Sequence, residues 1–305
     1  MTKRPSRAPG LLPDEGGILV VDKPVGPTSH DVVSRVRRAI SDRRIGHTGT
    51  LDPLASGVLV LCAGPATRLS QFLVGADKRY TTTLRLGIET DSLDADGEVI
   101  SEDDGWRTLS TEQVHAAAAD LAGPQLQVPP VFSAKKVDGE RAHRKARRGE
   151  DVELEAVPVT VHSLEVLRVD LPEVDLAMEV SSGTFVRALA RDLARVLGTC
   201  GHVTALRRTR SGAFDLNAAV ELETIEEDAT AVSWVSPLES LAHLPLVQLD
   251  AEEARRLAMG QRLAWDGAEG MVRVAYDGRL LAVAEVARGA LRPRKVFMAP
   301  EVAAS

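Results

Sequence analysis

Residues 46–59 read GHTGTLDPLASGVL, a glycine-punctuated loop that leads into an apolar run. Its glycines permit tight turns and the close approach of a ligand backbone. Pro53 disfavours the helical conformation for the residue before it, so Asp52 lies on restricted, extended backbone. A carboxylate held in this way beside a buried strand can act as a nucleophile or a base. From spacing alone, the alternative is a plain turn residue at Asp52 and a satisfied surface histidine at His47.

The bulk composition limits the class of protein around this loop. The chain has 305 residues, 44% of them hydrophobic and 27% charged, which is enough for a large core and for two domains. Two cysteines, Cys62 and Cys200, form no metal-ligand spacing and favour a reducing compartment. No apolar run reaches the roughly 18 residues of a membrane span, and residues 1–14 lack the apolar core of a signal peptide. We therefore expect a cytoplasmic protein with a disordered basic tail.

Strand and helix patterns alternate outward from the loop. Gly17–Val21, Tyr80–Leu86 and Leu176–Val180 have strand patterns. Two apolar helical stripes follow residues typical of a helix cap, either Thr28 or Ser29 before the first and Ser110 before the second. The mixture predicts a large α+β domain.

The C-terminal quarter has a different pattern. Residues 216–244 are acidic and irregular, which predicts a connector with few contacts across it. Beyond it, Asp250 caps a helix, and strands at Val272–Tyr276 and Arg279–Val286 are joined by a two-residue hairpin signal at Asp277. A small β-rich module that can be removed without unfolding the larger domain is the expectation. The expected domains are a tail over 1–14, a larger domain over 15–240 and the module over 245–300.

Charge is unevenly distributed in a chain whose formal net charge is −7. Residues 89–104 hold eight acids and no base, whereas residues 135–148 hold seven bases against two acids. A polyanion responds to the local field of one face, so the basic segment predicts an RNA-binding thumb whose affinity falls with salt. A solvated charge run is the alternative. The bases expected to contact an RNA backbone are Lys135, Lys136, Arg141, Arg144, Lys145, Arg147 and Arg148.

The opening loop and five further segments, in the same order along the chain, resemble the TruB family of pseudouridine synthases. The loop is similar to the family pattern GHxGxLDPxAxGxL. The other segments are Val21–Ser29, Asp77–Tyr80, Val131–Lys136 with Gly139 and Arg141, Gly183–Arg187, and Leu206–Arg208. The resemblance implies a catalytic domain with a mixed, mainly antiparallel sheet surrounded by helices. It also implies an RNA-binding insertion at about 124–155 and a PUA-like RNA-binding module at the C-terminus.

The resemblance also assigns roles to the catalytic residues. Asp52 matches the catalytic aspartate, and Arg187 matches the arginine that pairs with it and holds it ionised. Tyr80 matches the tyrosine that stacks on the target uracil and can serve as a base. The implied substrate-binding residues are His47, Tyr80, Phe185, Leu206, Lys23 and Arg68. Phe185 stands where the family often has tyrosine, so no phenolic hydroxyl is needed at that position.

The implied reaction converts uridine 55 in the T-loop of tRNA to pseudouridine. The base is flipped out of the loop, its glycosidic bond is cleaved, the uracil rotates, and a carbon–carbon bond forms. The reaction involves no redox change, so we expect neither a cofactor nor a metal. We also expect a monomer without an obligate protein partner. Whether Asp52 attacks the sugar, adds to the uracil or removes a 2′ proton is left open.

Three other functions are compatible with parts of this pattern. A hydrolase or glycosylase could use Asp52 with His47 and would release free uracil. An RNA chaperone without chemistry would have no use for the pairing of Asp52 with Arg187. A relative that acts on another RNA under the guidance of partner proteins would carry longer extensions than this chain has.

Overall fold

A computed structural model provides the structure of the chain. It describes residues 11–132, 136–137, 140–141, 148 and 154–300. Outside this part lie residues 1–10 of the expected tail and four bases of the expected thumb, namely Lys135, Arg144, Lys145 and Arg147. Lys136 and Arg141 pair across a short two-stranded hairpin, and Arg148 is exposed.

Helices and strands alternate along the described chain. The α-helices are α1 (Ser29–Ala39), α2 (Ser70–Leu73), α3 (Thr111–Asp120), α4 (Val186–Val196), α5 (Leu222–Glu227), α6 (Pro237–Ser240) and α7 (Ala251–Ala258). Short 3-10 helices span Gly64–Leu69, Gly105–Thr108, Leu216–Ala218 and Ala229–Ala231. The strands are β1 (Gly17–Lys23), β2 (Ile45–His47), β3 (Ala55–Ala63), β4 (Lys78–Leu86), β5 (Ile88–Thr90), β6 (Val99–Glu102), β7 (Gly123–Gln127), β8 (Lys136–Val137), β9 (Glu140–Arg141), β10 (Val157–Asp170), β11 (Glu173–Val180), β12 (Gly201–Ser211), β13 (Phe214–Asp215), β14 (Val220–Glu221), β15 (Leu246–Gln248), β16 (Leu263–Ala264), β17 (Gly270–Tyr276), β18 (Arg279–Ala287) and β19 (Ala290–Val296).

A ten-stranded sheet organises the larger part of the chain. Its main path is β14-β1-β3-β12-β4-β11-β10-β7, with β2 added to β3 and β13 added to β12. Only the β1–β14 and β3–β12 pairs are parallel among the described strands of this sheet. The predicted α+β class with a mixed, mainly antiparallel sheet is therefore confirmed. None of the helices in the described part of the chain has the length and apolar composition needed to cross a membrane.

The predicted helix starts are confirmed by their caps. The Thr28 hydroxyl accepts from the Asp31 backbone N–H, and the Asp31 carboxylate accepts from the Thr28 N–H in return. Ser110 and Gln113 form the same reciprocal arrangement before α3. Each pair satisfies two groups that a helix start would otherwise leave without partners.

Strands β1 and β3 are buried on both faces, so they separate two apolar cores. Leu19 and Leu59 face the main core, which the helices of the larger domain cover. Their neighbours Ile18 and Val58 face the opposite way, into a second core. The second core also contains Val283 of β18, so the C-terminal module completes it.

The segment 216–244 was expected to be an irregular connector, and that prediction is wrong. Its strand β14 extends the main sheet alongside β1. Leu222 and Ile225 of α5 are fully buried in the main core. Val235 exchanges two backbone hydrogen bonds with Ile18, each of 2.9 Å. The acidic side chains lie outward while the apolar ones pack inward, so composition alone concealed an amphipathic segment.

The C-terminal module is a five-stranded sheet in the order β15-β17-β18-β19-β16 with α7 packed on it. Asp250 caps α7, as predicted, and Glu253 completes the capping box. The predicted hairpin joins β17 to β18. Asp277 and Gly278 have φ angles of 48° and 69°, the conformation of a type I′ turn.

Candidate active site

Side chains from two other elements hold the backbone of the loop that carries Asp52. Ser29, at the start of α1, donates its hydroxyl to the Leu51 carbonyl at 2.9 Å and accepts from the Leu51 N–H at 2.8 Å. The Arg208 guanidinium of β12 donates to the carbonyls of Gly49 (3.1 Å) and Thr50 (3.4 Å). The loop geometry therefore depends on neighbouring elements rather than on the Asp52 carboxylate.

Lys23 supports the same loop from below. Its side chain is fully buried, and Nζ donates to the carbonyls of Ala55 (2.6 Å), Pro24 (2.9 Å) and Pro53 (3.3 Å). Burial lowers the pKa of Lys23 to about 8, although the nearby Asp52 carboxylate favours the charged form. Lys23 was expected to bind substrate, but its Nζ contacts loop carbonyls and its side chain does not line the cleft, so substrate contact by Lys23 stays a prediction.

Arg187 joins two carboxylates at the floor of the site. One guanidinium nitrogen, Nη2, lies 2.9 Å from Asp52 Oδ2, and the other, Nη1, lies 3.1 Å from Asp94 Oδ2. The guanidinium also donates to the carbonyls of Ser92 (2.6 Å) and Phe132 (3.0 Å). Arg187 and Asp94 are buried, whereas 39% of the Asp52 side chain is exposed. Arg187 is fixed, and Asp52 is the member of this network that can reach a substrate.

Neighbouring groups have opposite effects on the pKa of Asp52. Burial is the largest influence and raises the pKa of Asp52, and the neighbouring Asp94 carboxylate raises it further. The Arg187 guanidinium and the Lys23 ammonium act in the opposite direction. The pKa of Asp52 remains above its ordinary value of 3.8. Such a carboxylate is a stronger base than an exposed aspartate, and its cationic neighbours favour its charged form.

Asp52 opens into a cleft of about 430 Å³. Tyr80 of β4 and Leu206 of β12 line it and are nearly buried. Phe185, at the start of α4, lines the facing wall; its N–H donates to the Gln127 amide oxygen at 2.9 Å. Aromatic and aliphatic walls beside one carboxylate–arginine pair suit a flat, uncharged ring. Nowhere in the described residues do three or more His, Cys, Asp or Glu side chains form a group able to hold a metal.

The two other residues expected to bind substrate lie apart from the cleft. His47 sits at the end of β2, next to the cleft residue Thr48, and its Nδ1 is buried with no hydrogen-bond partner in the described part of the chain. Burial and the nearby Arg208 lower the pKa of His47, so the imidazole is neutral at pH 7. Arg68 is exposed, donates to the Val296 carbonyl at 2.7 Å and lies over the Phe297 ring. Their contact with RNA stays a prediction.

Three residues of the site were not selected from the sequence. Asp94 belongs to the acidic run 89–104, none of whose members was singled out, and Lys78 and Arg208 are cations buried in the wall of the cleft. Lys78 and Arg208 lie in segments that carried the family resemblance. Their burial is unusual for such side chains, so no single-residue pattern marks it.

The overall fold is shared with chains in two solved protein complexes. The structure matches a Cbf5-Nop10-Gar1 complex with a TM-score of 0.73 and 24% sequence identity, covering 95% of this chain and 87% of that one. An archaeal box H/ACA Nop10-Cbf5 complex matches with a TM-score of 0.70 and 23% identity, covering 94% of this chain and 88% of that one. These likenesses establish the fold of the chain.

Sequence comparison gives the particular family. Residues 37–186 match the model described as TruB family pseudouridylate synthase, N-terminal domain. Residues 187–242 match the tRNA pseudouridylate synthase B C-terminal domain, and residues 244–298 match tRNA pseudouridine synthase II, C-terminal. The chain belongs to the TruB family, as the motifs predicted, and is an enzyme of the isomerase class.

Curated relatives match over nearly their whole length. The tRNA pseudouridine synthase B of Thermobifida fusca (strain YX) is 46% identical over 290 residues, covering 92% of this chain and 98% of the relative. The protein of the same name from Burkholderia lata is 44% identical over 309 residues, covering 97% of this chain and 94% of the relative.

The Arg187 network predicts a change in the pH profile of the reaction when Asp94 becomes asparagine. Removing the Asp94 charge should lower the pKa of Asp52, because that charge raises it. We expect activity to be lost as pH falls through the pKa of Asp52, and we therefore expect the acid limb to move to lower pH. Loosening Arg187 should also lower the rate by roughly tenfold to a hundredfold, the effect of about 1.5–3 kcal/mol.

The measurement is single-turnover rate against pH, with Asp96→Asn as the matched control. Asp96 is exposed in the same loop and its carboxylate has no ion-pair partner among the described residues. An acid limb that stays in place in Asp94→Asn, or moves to higher pH, would refute the electrostatic coupling between the two carboxylates.

Proposed function

We propose that the chain isomerises the T-loop uridine at position 55 of tRNA to pseudouridine, with Asp52 as the catalytic carboxylate. The observation that carries this proposal is the ion pair of Asp52 with the buried Arg187 at the floor of a cleft sized for a nucleobase. Membership of the TruB family supports it, as does the substrate named for the relatives, which is tRNA.

The geometry supports a mechanism in which the target base leaves the RNA stack. A uridine within a folded loop cannot reach Asp52 unless it is flipped out, which costs a few kcal/mol. The apolar walls at Tyr80 and Leu206 offset part of this cost by packing against the uracil faces. The cleft thus holds the ring while its bond to the sugar is absent.

The reaction exchanges one bond of the ring for another. The C1′–N1 bond breaks, the uracil rotates, and a C1′–C5 bond forms. The proton on C5 is removed, and N1 ends with a proton. We assign the cleavage step to Asp52 in its ionised form and the removal of the C5 proton to Tyr80, which lines the same cleft. No atom is gained or lost overall.

Arg187 has a positioning role in this mechanism. Its planar guanidinium is held by four oxygen acceptors, including both carboxylates, so it presents a fixed partner to Asp52. Such a pair keeps the carboxylate ionised and oriented in a site with restricted water access. Phe185 lines the cleft with an apolar ring, which can pack against the substrate but has no proton to donate.

We further propose that the chain acts on the T-arm as a monomer, without an obligate protein partner, in the cytoplasm. Cys62 and Cys200 are buried and free, which supports a reducing compartment. The basic thumb and the C-terminal module would add contacts to the RNA backbone.

The test is incubation of the purified protein with an unmodified T-arm hairpin. We expect pseudouridine at the target position, detected by a pseudouridine-specific chemical reaction, with no change in the mass of the RNA. A hairpin with cytidine at that position is the control. Release of free uracil would indicate a glycosylase instead, and binding without any modification would indicate a chaperone.

A further inference from the structure

Lys78 is a buried cation that the mechanism above does not use. It is the first residue of β4, two positions before Tyr80, so the two side chains lie on the same face of the strand. Lys78 lines the cleft and is only 9% exposed. Its Nζ donates to the carbonyls of Val74 (2.9 Å) and Ala76 (2.5 Å). Within the described chain these are the acceptors it has, so a third N–H is available to a ligand.

The wall around Lys78 has more positive charge than the protein compensates. Arg208 lies beside it, is 2% exposed, and donates to backbone carbonyls. Neither cation has a carboxylate within ion-pair distance among the described residues. The two carboxylates of the site, Asp52 and Asp94, are both engaged by Arg187. Buried cations without a counter-charge are costly, so this wall is suited to an anion.

The protonation of Lys78 is consistent with this environment. The pKa of Lys78 is lowered to about 8, mainly by burial and also by the nearby Arg208, while Asp77 acts in the opposite direction. An anion bound at Nζ would favour the charged form and offset the cost of burial.

We infer that Lys78 binds one of the two backbone phosphates that flank the target uridine, through the N–H that faces the cleft. Residues two apart on a strand are separated by about 7 Å. This is comparable to the separation between the base and a phosphate of the same nucleotide, so a uracil at Tyr80 places its phosphate near Lys78. The inference rests on the proposed function, because it takes the cleft to hold a uridine of an RNA.

The first test changes the substrate and leaves the protein intact. Hairpins are made with an uncharged methylphosphonate in place of either the 5′ or the 3′ phosphate of the target uridine. For wild-type protein, one of these should lower kcat/KM by roughly tenfold to a hundredfold, the range of a hydrogen bond between charged groups. A methylphosphonate in the distal stem is the control. If neither flanking substitution has an effect beyond that control, the inference is wrong.

The second test assigns the effect to Lys78. Lys78→Met should lower kcat/KM on the normal hairpin but add little on the sensitive methylphosphonate hairpin, because the contact is already lost there. Lys78→Arg should keep part of the preference for the charged phosphate. Arg85→Met, an exposed cation on the same strand, is the matched control. If Lys78 only supports the carbonyls of Val74 and Ala76, Lys78→Met will reduce activity equally on both hairpins, which would overturn the inference.

These outcomes separate the inference from the proposed function. Pseudouridine formation by wild-type protein on the normal hairpin tests the function and does not depend on Lys78. The comparison of charged and uncharged phosphates tests the anion site alone. Thermal unfolding of each variant, measured beside the kinetics, shows whether a loss reflects an unfolded protein.

Discussion

Asp52→Asn should lower the single-turnover rate of pseudouridine formation by at least about 10⁴-fold, while affinity for the T-arm hairpin changes by less than about tenfold. Asparagine is nearly isosteric, but it lacks the negative charge and the nucleophilic oxygen. Among the described residues that line the cleft, Asp52 is the one carboxylate. The nearby Asp94 cannot replace it, because Asp94 is buried behind Arg187. Binding should survive because most of the affinity comes from phosphates and loop shape.

The structure explains why the loop should keep its shape in this variant. Leu51 is held through its backbone by Ser29, and Gly49 and Thr50 are held by Arg208. None of these contacts uses the Asp52 side chain. The substitution therefore tests the chemistry of the carboxylate and not the integrity of the site.

Stability should fall only modestly in Asp52→Asn. Arg187 would face a neutral amide at one nitrogen but would retain Asp94 at the other, so we expect a loss of about 1–3 kcal/mol in the free energy of unfolding. Single-turnover kinetics, filter binding and urea unfolding are measured on the same preparation, with Asp96→Asn as the control. If the variant still formed product near the wild-type rate, Asp52 would not be the catalytic carboxylate and would be a turn residue.

The placement of the Asp52 loop directly before a buried strand was predictable because that information is local, whereas a catalytic role for Asp52 was implied only by the family resemblance. Glycines, a proline and the following apolar run constrain the backbone from Gly46 onward, and the residues that follow one another in the motif also share the site. The helix caps were predictable for the same reason, since each cap residue bonds to the residue three positions later in the chain. Contacts of this range leave a signature in the order of the residues.

Asp94 illustrates why the rest of the site was not predictable. Its partner Arg187 lies far along the chain, and nothing in the acidic run 89–104 distinguishes it from its exposed neighbours. Leu93, immediately before it, has a φ of 63°, and the Leu93 and Ala95 backbones each bond to Val203 of β12. These contacts turn one carboxylate of the run inward. Such a turn depends on tertiary packing, which residue spacing does not encode.

The C-terminal quarter illustrates the same limit at the scale of a domain. An acidic composition and a lack of periodicity predicted a connector over 216–244 and a module that could be removed. The apolar residues of that stretch, including Leu222 and Leu241, are instead buried in the two cores. Where a strand has an unbroken apolar run, as β1 has at 18–21 and β3 has at 58–63, both faces must be covered. The apolar runs therefore showed that a second core must exist, but they did not identify the elements that form it.

Removing residues 245–305 should therefore prevent the larger domain from folding to a stable, unaggregated state. The deletion would remove Leu280 and Val283 from the second core, which they share with Ile18 and Val20 of β1 and Val58 of β3. Each fully buried aliphatic side chain contributes roughly 1.5–3 kcal/mol. Several such losses together match the whole stability of a typical domain, about 5–15 kcal/mol.

Polar contacts across the same interface would be lost with the module. Arg273 donates to the Leu238 carbonyl at 2.9 Å, and Arg279 lies 3.1 Å from the Glu15 carboxylate. These groups fix the module in place, but the apolar area carries most of the energy. We therefore expect one cooperative unfolding transition in the intact chain rather than two.

Val283→Asp tests the interface without removing the module. A charge at this fully buried position should lower the midpoint of urea unfolding and increase binding of a hydrophobic dye, because an unpaired carboxylate cannot be accommodated there. Val99→Asp, the same change at a valine that is 55% exposed, should leave both unchanged. The 1–244 fragment is measured in parallel for soluble yield and unfolding. A fragment that stayed monomeric and unfolded cooperatively near the midpoint of the intact chain would show that the second core does not need the C-terminal module.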